Sequence, residues 1–124
     1  MSRTAGLVLG LLLSLPAGAA AAAGGPNLYA TCIFDPTESG PGRDGTVADG
    51  LGGMSVSLLF DFGKGVAAFG NGSTVRLTKV DADTIEFVEQ DYTVSYRRDS
   101  GDLISHDGKT AYDGVFHCVA VPHA

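Results

Sequence analysis

An all-β fold is what this chain predicts once its first two dozen residues are set aside: a small antiparallel up-and-down meander of about eight strands. Three observations carry that reading. Apolar and polar residues alternate at period two from Leu28 onward, and Gly, Asp and Asn interrupt the alternation at short intervals. Period-2 patterning with turn residues at this spacing is the pattern of an antiparallel barrel or sandwich. The third observation is that cysteines stand in the first and last strands, so pairing them brings the ends of the meander together. A closed or nearly closed barrel follows, which also removes exposed edges, with a two-sheet sandwich as the alternative. No part of the chain after residue 23 sustains a helical period.

The elements follow in order. Leu28, Ala30, Cys32 and Phe34 share one face of a first strand, and Met54, Val56, Leu58 and Phe60 alternate with Ser55 and Ser57 in a second. A turn at Asp61-Phe62-Gly63-Lys64-Gly65 leads to Val66–Phe69, and Gly70-Asn71-Gly72 turns into Ser73–Val80, with Val75 and Leu77 inward. Asp81-Ala82-Asp83 reverses the chain into Thr84–Glu89, and Gln90-Asp91 links to Tyr92–Arg98. Asp99-Ser100-Gly101 leads to Asp102–Ser105, and a turn at His106-Asp107-Gly108-Lys109 leads to a last strand at about Gly114–Val121. One segment breaks the rhythm: Asp35 to Gly53 is rich in glycine and almost free of apolar residues. A loop of that length in a compact domain is either flexible or a binding loop.

Residues 1–23 read as a secretory signal peptide. Arg3 supplies the positive start, Leu7 to Leu15 the apolar core, Pro16 the break, and Ala17 to Ala23 the small residues a signal peptidase needs. The apolar core is too short for a bilayer-spanning anchor, which takes about 20 residues. Tyr29-Ala30-Thr31-Cys32 lacks the small residue that a lipobox places before its cysteine. Cleavage leaves residues 24–124 as one secreted β-domain in an oxidising compartment, periplasmic or extracellular. Cys32 and Cys118 are then the two cysteines of the domain and are expected to form a disulfide. Closing a loop of roughly ninety residues stabilises by about 4 to 5 kcal/mol as an upper figure. Arg3 leaves with the leader, so seven basic residues face fourteen acidic ones, a formal balance of −7. Such a surface repels phosphate backbones and anionic headgroups, which argues against nucleic acid and against stable membrane insertion after cleavage.

Residues with chemical potential are scattered. His106-Asp107 falls in a turn, His117 alternates with Val115 and Val119, and His123 is expected to fray beside the C-terminus. Metal sites show closely spaced ligand pairs, and none is present, so no metal or cofactor is expected. Ser105-His106-Asp107 is contiguous, which prevents the three side chains from meeting as a relay. Asp81-Ala82-Asp83 and Asp99-Ser100-Gly101-Asp102 lack the oxygen ligands of an EF-hand loop. Arg97 and Arg98, adjacent on one strand, point to opposite faces. Asn71-Gly72-Ser73 is a hairpin turn before it is a glycosylation acceptor. No catalytic residue is assigned.

The run Tyr92 to Ile104, with Gly114-Val-Phe-His-Cys118, resembles the ending of small periplasmic proteins of Gram-negative bacteria. There a hydrophobic–Arg–turn–Gly–x–Leu hairpin precedes a strand closing on cysteine. The signal, the early Tyr29-x-x-Cys32 and the late Cys118 are similar in layout to the C-type lysozyme inhibitor family. That resemblance implies an eight-stranded barrel closed by such a disulfide, and insertion of a Ser- and Lys-bearing face into the lysozyme cleft around an SGxxY-like segment. In its place this chain has Phe69-Gly-Asn-Gly-Ser-Thr74, with no aromatic in the matching position, so the family's key motif is not matched, and Lys109 in Asp107-Gly-Lys-Thr corresponds only loosely to the family's lysine. The expected function is a non-enzymatic, monomeric protein that binds an envelope protein or small ligand through a barrel mouth or the Asp35–Gly53 loop. Inhibition of a lysozyme-like cell-wall hydrolase is one alternative and a small hydrolase another.

Overall fold

A computed structural model describes residues 24–39 and 54–123. The expected signal peptide at residues 1–23, and the Asp35–Gly53 loop after Ser39, lie outside the described residues. The strands are β1 (Leu28–Phe34), β2 (Ser55–Asp61), β3 (Val66–Phe69), β4 (Thr74–Val80), β5 (Thr84–Glu89), β6 (Tyr92–Arg97), β7 (Asp102–Asp107) and β8 (Asp113–Pro122). Each pairs antiparallel with its sequence neighbour, and β1 also pairs with β8, which closes the barrel and rules out the open sandwich. Seven register pairs form that seam, from Leu28↔Pro122 to Phe34↔Phe116. Cys32 and Cys118 face each other within it and are joined by a disulfide.

Alternation decides what fills the barrel. Ala30, Cys32, Val56, Leu58, Phe60, Ala67, Leu77, Ile85, Phe87, Val94, Leu103 and Phe116 all point inward and are buried. Aromatic pairs knit the interior, Phe60 against Tyr96 and Phe34 edge-on to Phe116. A small barrel of this strand number is just wide enough for side chains to fill, so the interior is a packed core.

Strict alternation fails in β4. The register shifts between Leu77 and Lys79, so that Leu77 and Val80, three residues apart, both face the core while Lys79 stays exposed. A β-bulge does this by setting two residues against one on the partner strand. Val75, expected inward, is half-buried and packs at the margin of the core. The turn expected at His106-Asp107 begins later, because both residues still belong to β7 and His106 pairs with Asp113. His123, expected to fray, donates its backbone N–H to the Asn27 carbonyl at 2.7 Å.

One end of the barrel is closed by the segment before β1. The Asn27 side chain accepts the Phe62 N–H at 2.9 Å. The Arg98 guanidinium lies over the Phe62 ring and donates to the carbonyls of Gly24 and Asp81. Arg97 is exposed on β6, so the two adjacent arginines do part company.

Candidate functional site

The outer wall of the barrel has two unlike halves. On β4 to β6 it is polar, with Arg76, Lys79, Glu86, Thr93, Ser95 and Arg97 outward, and Ser95 Oγ donates to the Glu86 carboxylate directly across the ladder. Val88 is the apolar exception there. On β1 and β8 the outward positions are mostly apolar, Tyr29, Ile33, Val115, Val119 and Val121 with Thr31, His117 and Asp113 among them, whereas those of the flanking β2 and β7 are mostly polar. Register aligns them in rows: Leu59–Tyr29–Val121, then Ser57–Thr31–Val119, then Ser55–Ile33–His117–Asp102, then Val115–Ile104. Val119 is 74 % exposed and Ile33 54 %, and Tyr29 and Val121 are exposed as well. Large exposed apolar side chains standing singly need no explanation, but a contiguous patch marks a binding surface.

His117 sits within this wall, between Ile33 of β1 and Asp102 of β7. Its Nδ1 is 2.9 Å from Asp102 Oδ1 and its Nε2 is 2.7 Å from Asp35 Oδ2, with Glu38 Oε2 at 3.8 Å. A carboxylate only accepts hydrogen bonds, so both contacts are satisfied together only by the doubly protonated imidazolium. Asp102 first and Asp35 second therefore raise the His117 pKa above its ordinary 6.5.

Asp35 is itself held by a tight turn. Its Oδ1 accepts the Thr37 hydroxyl at 2.6 Å and the Thr37 N–H at 2.9 Å. The Thr37 side chain, then His117, lowers the Asp35 pKa to about 2. The Asp35–Ser39 turn docks on β8 through the backbone as well. Asp35 N–H donates to the Val115 carbonyl at 2.7 Å, and Val115 N–H donates to Ser39 Oγ at 3.0 Å. Ser39 Oγ in turn donates to the Asp35 carbonyl, and Ser39 is buried.

Asp35, Glu38 and His117 bring their side-chain donor atoms within 4.8 Å of one another. Two ligands of a tetrahedral zinc, each roughly 2.0 to 2.1 Å from the metal, stand about 3.3 Å apart. The 2.7 Å between Nε2 and Asp35 is shorter and is the spacing of a charge-assisted hydrogen bond.

Sequence reasoning placed His117 on the last strand without assigning its face, and the structure puts it on the outer wall beside Val115 and Val119. It missed the carboxylates, because Asp35 lies 82 residues away in the chain. The disulfide was the available clue: pairing Cys32 with Cys118 sets Ile33 opposite His117 and brings Asp35 within reach. The contiguous Ser105, His106 and Asp107 are separated by alternation. Ser105 is buried inside the barrel, while His106 points outward and meets Asp113 at 2.6 Å. His123 lies outside the cluster, with its ring 6.4 Å from that of Tyr29.

Comparison with family models, curated proteins and solved structures found no match. Among the described residues, no helix is long and apolar enough to cross a membrane.

Proposed function

We propose that this chain is a non-enzymatic secreted or periplasmic protein that docks an envelope protein on the outer wall formed by β1 and β8. The observation that carries the reading is the exposed apolar patch of Tyr29, Ile33, Val119 and Val121 on two paired strands. Its setting supports the choice. The barrel interior is filled by Phe, Leu, Ile and Val side chains, so a partner meets the wall. Apolar residues inside and charged residues on β4 to β6 outside are the reverse of a lipid-facing barrel. The test is a photo-reactive residue at Val119 or, as control, at Thr93 on the polar wall, introduced in the protein's own host. A discrete protein adduct from position 119 that is missing from position 93, and that Ile33→Asp suppresses, supports the reading. Identical adducts from both positions, or none from either, overturn it.

A second reading is inhibition of a cell-wall hydrolase, favoured by the eight-stranded barrel with a disulfide joining its first and last strands. Titration against a lysozyme tests it. Activity lost linearly to a one-to-one endpoint supports inhibition, and undiminished activity at molar excess removes it.

A further inference from the structure

We propose that His117 is a proton-operated latch that fastens the Asp35–Ser39 turn to β8, closed while the imidazole carries both protons and loosened when it loses one. The geometry is that of a clamp. One ring nitrogen reaches Asp102 on β7 and the other reaches Asp35 in the turn after β1, so one side chain ties two separate elements to its own strand. The charged groups facing it are Asp35 and Glu38 from the turn and Asp102 from β7. Its neighbours on the same face of β8, Val115 and Val119, and its partner on β1, Ile33, are apolar.

Removing one proton from the imidazolium leaves a ring nitrogen with a lone pair toward a carboxylate oxygen. One of the two hydrogen bonds then becomes a repulsive contact between acceptors. Asp102 is fixed in a strand, whereas Asp35 heads a short turn, so the contact that yields is the one to Asp35. Loosening it strains the adjoining links, Asp35 N–H to the Val115 carbonyl and Val115 N–H to Ser39 Oγ. The Val115 amide is therefore a built-in reporter of whether the turn is seated.

The experiment is a pH series from 5 to 8 on the oxidised, isotopically labelled protein, following the His117 ring resonances and hydrogen exchange at Val115 by NMR. The expected result is a His117 midpoint above the ordinary histidine value. Val115 protection, corrected for intrinsic exchange, should fall roughly three- to tenfold across that midpoint, while the Leu103 and Phe116 amides stay unchanged. Asp35→Asn should lower the midpoint, and His117→Gln should leave Val115 protection flat with pH. A His117 midpoint at or below 6.5, or unchanged Val115 protection through the His117 titration, overturns the latch. Ile33 and Val115 flank His117 in the docking wall, so a loosened turn alters its rim; that consequence alone rests on the docking reading. A failed cross-link removes docking and leaves the latch standing, and a flat Val115 amide does the converse.

Discussion

Ser105 Oγ is fully buried among the described side chains and has no hydrogen-bond partner. It points into the barrel from β7, opposite Gly114 of β8. A buried hydroxyl without a partner carries its full desolvation cost, about 1 to 3 kcal/mol. Ser105→Ala should therefore raise stability by about 1 kcal/mol, seen as a higher denaturant midpoint with an unchanged slope; a lower midpoint would mean that the hydroxyl is satisfied in solution. The His117 cluster sets the pH dependence. A histidine whose pKa is raised by folding stabilises fully below its unfolded value of 6.5, and that contribution is lost as pH rises through the folded value. Asp35 works in the other direction, contributing fully above 3.8 and losing its share as pH falls toward about 2. Asp81 and Asp107, held low chiefly by backbone N–H donors, add to the same acid limb. Thermal unfolding against pH should then show a plateau between about 4 and 6.5 with a decline on each side. His117→Gln should remove the alkaline decline and leave the acid one; an alkaline limb that survives the substitution belongs to another group.

At the scale of the elements, the packing before β1 is the most sensitive to side-chain volume. A Cβ at Gly24 would run into the Phe62 ring, and that ring is fully buried beneath the Arg98 guanidinium. It cannot swing away as an exposed side chain would. Gly24→Val should cost about 1 to 3 kcal/mol by overpacking, measured by thermal or denaturant unfolding; a neutral result would show that the segment detaches from Phe62 without consequence. The hairpins were legible in the sequence because each has a local chemical cause. Asn71 Oδ1 accepts the N–H and hydroxyl of Ser73, Asp81 Oδ1 accepts the N–H groups of Asp83 and Thr84, and Gly72 and Gly101 take positive φ. The bulge in β4 was not legible. It depends on how Leu77 and Val80 meet the core, and the residues Thr-Lys between them carry no turn signal. The Asp35–His117–Asp102 cluster was hidden for a related reason: it is set by barrel closure and strand stagger, which relate residues far apart in the chain.

For the whole molecule, the question is what keeps the barrel shut. The hairpin contacts on either side of every other strand join neighbours in sequence, and these re-form easily after opening. The β1–β8 seam instead joins the two ends of the chain, with the cysteines 86 residues apart. Opening it would convert the barrel into a sheet with β1 and β8 as bare edges, the arrangement that invites strand pairing with other chains. The disulfide counters this by removing entropy from the unfolded chain, by roughly 4 to 5 kcal/mol at most, against a total stability for small domains of about 5 to 15 kcal/mol. The seam also carries its own backbone ladder of seven register pairs, so closure does not rest on the disulfide alone. A variant with Cys32→Ala and Cys118→Ala should therefore lose about 2 to 5 kcal/mol and still populate the closed barrel at 25 °C. Hydrogen exchange in that variant should show the largest loss of protection in β1 and β8 and the smallest in β4 to β6. Uniform loss across all eight strands would mean that the barrel opens only by unfolding as a unit. Loss confined to the seam would place the proposed docking wall on the least stable part of the fold, where strand opening would compete with any partner for the same residues.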